Sequence, residues 1–231
     1  MQYDHQPYQF PDGMAPRGPS YQSSPMGAIL AKTYGLLAAT LAVSAIASYI
    51  GMHSPFAYQH PILLMIGSFA LLFAVQYTGA HRSPLAVPLV FLFAAGMGMM
   101  MGPGIAFYLK QPDGPQIVSM ALGTTAAMFI GLSAYGMVTK RNFSHMAGFL
   151  ITGLILAIVV SLLNLFWLHM AVLQVAIAGV LVLVFSGLII FDTQRMMQGG
   201  IQEPVLLVVG LYLDIINLFM ALLEIFGFNR E

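Results

Sequence analysis

Two apolar stretches near the C-terminus, FSGLIIFDTQRMM (residues 185–197) and GLYLDIINLF (residues 210–219), each carry one aspartate, Asp192 and Asp214. Between them, Gly199-Gly200 closes a first helix and Glu203-Pro204 opens a second. That is the placement expected of a C-terminal glycine and an N-terminal proline. The pattern predicts a helical hairpin over residues 172–226, folding back near residue 201. Counted along the helices, Asp192 lies roughly 9 Å and Asp214 roughly 14 Å from the turn. The two carboxylates therefore sit at similar depth and are free to face each other. A carboxylate inside such a run costs about 2.5–3.5 kcal/mol on insertion scales. Two in one hairpin point to use rather than accident, against the plainer reading of a cap or an interfacial snorkel.

Composition places the rest of the chain around that hairpin. The 231 residues are 59% hydrophobic and only 7% charged, with a mean hydropathy of +0.85. A soluble domain carries about 25% charged residues, so the chain is expected to be an integral membrane protein in a lipid bilayer. The formal net charge is zero, which gives no reason to expect a nucleic-acid partner. Cysteine is absent, which excludes disulfides, thiolate metal sites and thiol catalysis. Residues 1–27 are rich in Pro, Gln, Tyr, Ser and Gly, and read as a disordered cytoplasmic tail without the apolar run of a signal peptide.

Residues 28–231 read as one membrane domain of seven apolar segments. Five precede the hairpin, at roughly residues 28–52, 61–78, 85–101, 116–138 and 146–166. Their short connections imply a compact all-α bundle. Six of eight basic residues (Arg17, Lys32, Arg82, Lys140, Arg141 and Arg195) fall on the N-terminal side, and Lys110 and Arg230 on the other. The positive-inside rule then puts the N-terminus in the cytoplasm and the C-terminus across the membrane. Two small-residue stripes, Gly98 with Gly102 and Gly123 with Ala127 and Gly131, are expected to let helix backbones approach.

Other candidate chemistries fail on spacing. Adjacent methionines at 99, 100 and 101 point in different directions and cannot converge on a soft metal. The six histidines are scattered, and none has an i, i+4 partner. A retinal protein needs a lysine in its last helix, and none is there. A serine protease built on Ser133 lacks a histidine in a later helix.

Three function classes survive. In the first, Asp192 and Asp214 share a proton in a low-dielectric bundle, and when both ionise they repel and offer oxygen ligands. Calcium prefers six to eight oxygens, so two carboxylates make a weak transit site for a conducted ion rather than a store. Asn217, three residues after Asp214, would share its face and add an oxygen, or hydrogen-bond between helices. In the second, the aspartates activate water as an intramembrane aspartyl protease, but the Gly-x-Gly-Asp loop of such enzymes is replaced here by Tyr212-Leu213-Asp214. In the third, the chain is a non-transporting regulator of other membrane proteins. The first and third are non-enzymatic, and no cofactor is expected.

The stretch FSGLIIFDTQRMMQGG (residues 185–200), followed by LYLDIINLFMALLEIFGF (residues 211–228), resembles the C-terminal signature of the Bax inhibitor family. Weaker similarity in KTYGLLAATLAVSAIASYIG and SAYG extends the resemblance over residues 28–228. The resemblance implies seven helices, with the last at the centre of the other six. It also implies a pH-sensitive calcium leak in which Asp192 and Asp214 form the sensing pair. Some members latch one aspartate with an arginine near the end of the second helix; Arg82 is the candidate here, against the plainer reading of a positive-inside loop charge. Other bacterial members are associated with a membrane-bound ATP-dependent quality-control protease, and eukaryotic members with suppression of cell death. A bacterial inner membrane is the expected location.

Overall fold

The computed structural model describes residues 25–141, 143–198 and 203–228. They form helices α1 (Pro25–His53), α2 (Pro55–Gln59), α3 (Pro61–Ala80), α4 (Ala86–Leu109), α5 (Gly114–Val138), α6 (Ala147–Leu163), α7 (Ala171–Met197) and α8 (Pro204–Phe228). All but α2 are long and apolar enough to cross a membrane, α6 running on through a wide π-helical turn over Asn164–Leu168. These seven spans make the chain an all-α integral membrane protein. Most of the expected N-terminal tail, and the Gly199-Gly200 turn, lie outside the described residues. Helix α1 starts at Pro25, three residues before the expected boundary.

Proline sets several boundaries, because it lacks the N–H that an initial helical residue leaves unused. Pro55, Pro61 and Pro204 each stand first in their helices. Pro103 does not end α4, which continues to Leu109, eight residues beyond the expected limit. A membrane helix tolerates proline where a neighbour covers the freed carbonyl. Here that carbonyl belongs to Met99, four residues earlier, and Gly51 of α1 lies directly against it.

The α1–α4 seam is built on absent side chains. A β-carbon at Gly98 would run into the Ser44 backbone, and one at Gly102 into the backbone of Gly51 and Met52. The close approach expected of this stripe is therefore real. The second stripe behaves differently: nothing lies within 4 Å of where a β-carbon at Gly123 or Gly131 would stand. On α5 the small residues face outward and bring no helix near, because α5 turns Ile117, Ala121, Thr125 and Ser133 inward instead.

Helix α8 is the most enclosed. Of its most apolar eighteen residues 67% are buried, against 17–44% in the other spans. It packs on α1, α3, α4, α5 and α7, while α6 docks mainly on α7. The ring around the last helix is thus made chiefly by five spans rather than the expected six. Outward-facing Phe73, Phe149 and Leu183 are each more than 70% exposed, a surface suited to hydrocarbon rather than water.

Candidate carboxylate site

The site lies where the end of α7 meets the first half of α8. Asp192 stands five residues before the end of α7, and Asp214 ten residues into α8. Those counts put them about 8 Å and about 15 Å from the helix ends. Asp214 is 5% exposed, and its Oδ2 has no hydrogen-bond partner among the described residues. The two carboxylates interact electrostatically, so the hairpin brings together the pair that the sequence singled out. Contact with α8 is made through Gly210, one turn before Asp214, where a β-carbon would overlap the Asp192 Oδ2. A larger residue there would have to move the neighbouring carboxylate, whereas the backbone itself makes no demand for glycine.

Each residue of the Asp-Thr-Gln triplet has a separate task. Asp192 faces α8. The Thr193 hydroxyl donates to Ser133 Oγ of α5 at 3.4 Å, with the Tyr34 hydroxyl of α1 beside them but in no well-formed hydrogen bond. Gln194 is buried; its Nε2 donates to the Arg141 carbonyl at 2.6 Å, and its Oε1 accepts from the Phe143 amide at 3.1 Å. It ties the end of α7 to the α5–α6 connection. On α8, the Tyr212 hydroxyl lies 2.8 Å from Ser44 Oγ of α1 and donates to the Ala94 carbonyl of α4 at 3.4 Å.

Arg195, three residues on along α7, acts on Asp192 electrostatically. In the sequence Arg195 reads only as a positive-inside charge, although its i, i+3 spacing from Asp192 puts the two on one helix face. Arg82 sits in the α3–α4 connection with φ 52 and pairs with Glu203 at the start of α8, at 2.6 Å. In this arrangement it holds the helix that carries Asp214 rather than an aspartate. Asn217 turns its Nδ2 back onto the Leu213 carbonyl at 2.8 Å. No group of three or more His, Cys, Asp or Glu side chains that could hold a metal occurs among the described residues.

A seven-span helical bundle with coupled carboxylates on its last two helices defines a class of membrane protein, and comparison with known proteins gives that class its family. The model of the family described as "Inhibitor of apoptosis-promoting Bax1" matches residues 26–231, so the chain belongs to the Bax inhibitor family. An uncharacterized membrane protein of Vibrio cholerae is 39% identical, covering 86% of this chain and 88% of its own. The Escherichia coli protein named Modulator of FtsH protease YccA is 34% identical, covering 87% and 90%. Mouse Protein lifeguard 4 is 31% identical, covering 85% and 83%.

Proposed function

We propose that the chain is a non-enzymatic modulator of a membrane-bound ATP-dependent protease, seated in a bacterial inner membrane with its N-terminus in the cytoplasm. The observation that carries this reading is the 34% identity, over nearly the whole chain, to a protein named for modulating FtsH. A relative from another Escherichia coli strain, also 34% identical to this chain, is named an inner membrane protein. Charge asymmetry supports the orientation. In this reading the chain occupies the protease through its own membrane face and slows entry of other membrane substrates. The test is degradation of a membrane substrate by purified protease in proteoliposomes, with and without the chain. Slower turnover that scales with bound chain is expected; turnover unchanged at saturating chain rejects the proposal.

A second reading rests on the carboxylate pair. Asp214 is buried without a partner for one oxygen, beside a second carboxylate. Such a pair favours holding a shared proton. Loss of that proton sets two like charges against each other and pushes α8 from α7, opening a slow cation path. Two carboxylates suit transit of calcium, not tight binding. Calcium entry into proteoliposomes is then expected to rise with pH, and Asp192→Asn or Asp214→Asn to flatten the response. Flux equal to that of empty liposomes at every pH removes this reading and leaves the first intact.

A further inference from the structure

A cavity of about 440 Å³ opens between α1 and α5, with α4 behind and α8 at its floor. Its walls belong to helices that make no extensive contact with each other. On α1 the cleft runs from Leu41 to Met52, and on α5 from Ile130 to Val118. Those are eleven and twelve helical steps, or about 16–18 Å along the helix axes. One leaflet of a hydrocarbon core is about 15 Å thick, half of roughly 30 Å. The upper end lies towards the C-terminus of α1 and the N-terminus of α5, and the lower end near the middle of both spans.

The lining also sets the chemistry of an occupant. Of the cleft hydroxyls, Ser44 is engaged with Tyr212 and Thr125 donates to the Ala121 carbonyl, leaving Ser48 Oγ without a partner. A buried water needs two to four polar partners, so a column of water or a hydrated ion is poorly held here. A hydrocarbon chain is not. The rim includes Leu122 and Ile130, which are 55% and 67% exposed and face outward. The opening is therefore lateral, towards lipid.

We propose that this cleft is a lipid site, filled by one acyl chain of a phospholipid from the leaflet at the C-terminal end of α1. The match in length between cleft and leaflet, the lateral opening and the nearly apolar lining select that occupant. The chain rests on Ile215 and Phe219 of α8. Ile215 directly follows Asp214, so the lipid braces the central helix beside its buried carboxylate.

Quenching of tryptophan by brominated acyl chains tests the site. The protein has one tryptophan, Trp167, and Trp167→Phe supplies a silent background. Into it go Phe219→Trp, on the cleft floor, and Phe93→Trp, in the core away from the cleft; the native side chains are 5% and 1% exposed. Vesicles of phospholipid with brominated chains are expected to quench the residue-219 reporter several-fold more than the residue-93 reporter. Adding Ala45→Phe and Ala126→Phe, which fill the cleft, should remove the difference. Equal quenching at both positions, or quenching at 219 that survives the plug, overturns the proposal. Native mass spectrometry provides a second measurement without a reporter. The native chain should retain one phospholipid more than the plugged chain, and equal retention also overturns the proposal.

Discussion

Asp192 Oδ2 lies so close to Gly210 that a single added methyl group would overlap it. The carboxylate of one hairpin arm thus occupies the space that a side chain on the other arm would fill. Gly210→Ala is expected to displace Asp192 and destabilise the bundle by about 1–3 kcal/mol, the range for inserted carbon in a packed site. Combining it with Asp192→Ala should return much of that loss, because the obstacle is then gone. Thermal unfolding of the two single variants and the double variant in one detergent checks this; additive losses would falsify the contact.

Tyr212 links three helices through one hydroxyl. Tyr212→Phe removes that hydroxyl and leaves Ser44 without its 2.8 Å partner. The expected cost is about 0.5–1.5 kcal/mol. Ser44→Ala in the Tyr212→Phe background should then cost less than it does alone, since the partner has already been lost. Equal effects in both backgrounds would show that the pair is not coupled.

The two small-residue stripes should respond in opposite ways. Gly98→Ala sets a methyl group against the Ser44 backbone, which cannot rotate aside, so the loss belongs at the upper end, about 3 kcal/mol. Gly123→Ala meets nothing within 4 Å and gains helix propensity. Its stability should stay within about 0.5 kcal/mol of the native chain or rise. Folded yield and melting temperature distinguish the two, and a damaging Gly123→Ala would place an undetected neighbour on α5.

The Arg82–Glu203 pair is exposed on the arginine side, with side-chain exposures of 69% and 29%. Arg82→Gln is therefore expected to cost no more than about 1 kcal/mol at low salt, and less as salt screens the pair. Glu203→Gln should behave alike. A salt-independent loss of several kcal/mol from either change would mean that the pair bears more of the fold than its exposure allows.

The seven spans were legible because hydropathy reports burial in lipid directly, and the aspartates because an ionisable group in an apolar run has few innocent explanations. Helix ends were less so. The third segment was expected to end near residue 101, and the approach of Gly51 to the Met99 carbonyl explains how α4 continues past Pro103. The glycine stripes were visible, but spacing alone does not say which has a neighbour. Gln194 and Thr193 were part of the recognised motif, yet their partners, Arg141, Phe143 and Ser133, are 51 to 60 residues away in sequence. Arg82 was legible as a cation but not as the partner of Glu203, because that pairing depends on how the α3–α4 connection meets the start of α8.

The fastening of α8 is uneven along its length. The ion pair at Glu203, just before its first residue, and the Tyr212 hydroxyl fasten its beginning to the α3–α4 connection, α1 and α4. Beyond Tyr212 the polar contacts of Asp214 with Asp192 and of Glu224 with Gln174 are both to α7, and the helix borders the open cleft. Tyr212 stands about 12 Å from one end of the helix and about 24 Å from the other. Taken as a rigid rod pivoting at that hydroxyl, the helix has arms in a ratio of about one to two, so a displacement of about 1 Å at its first residue corresponds to about 2 Å at its last, on the opposite face of the membrane.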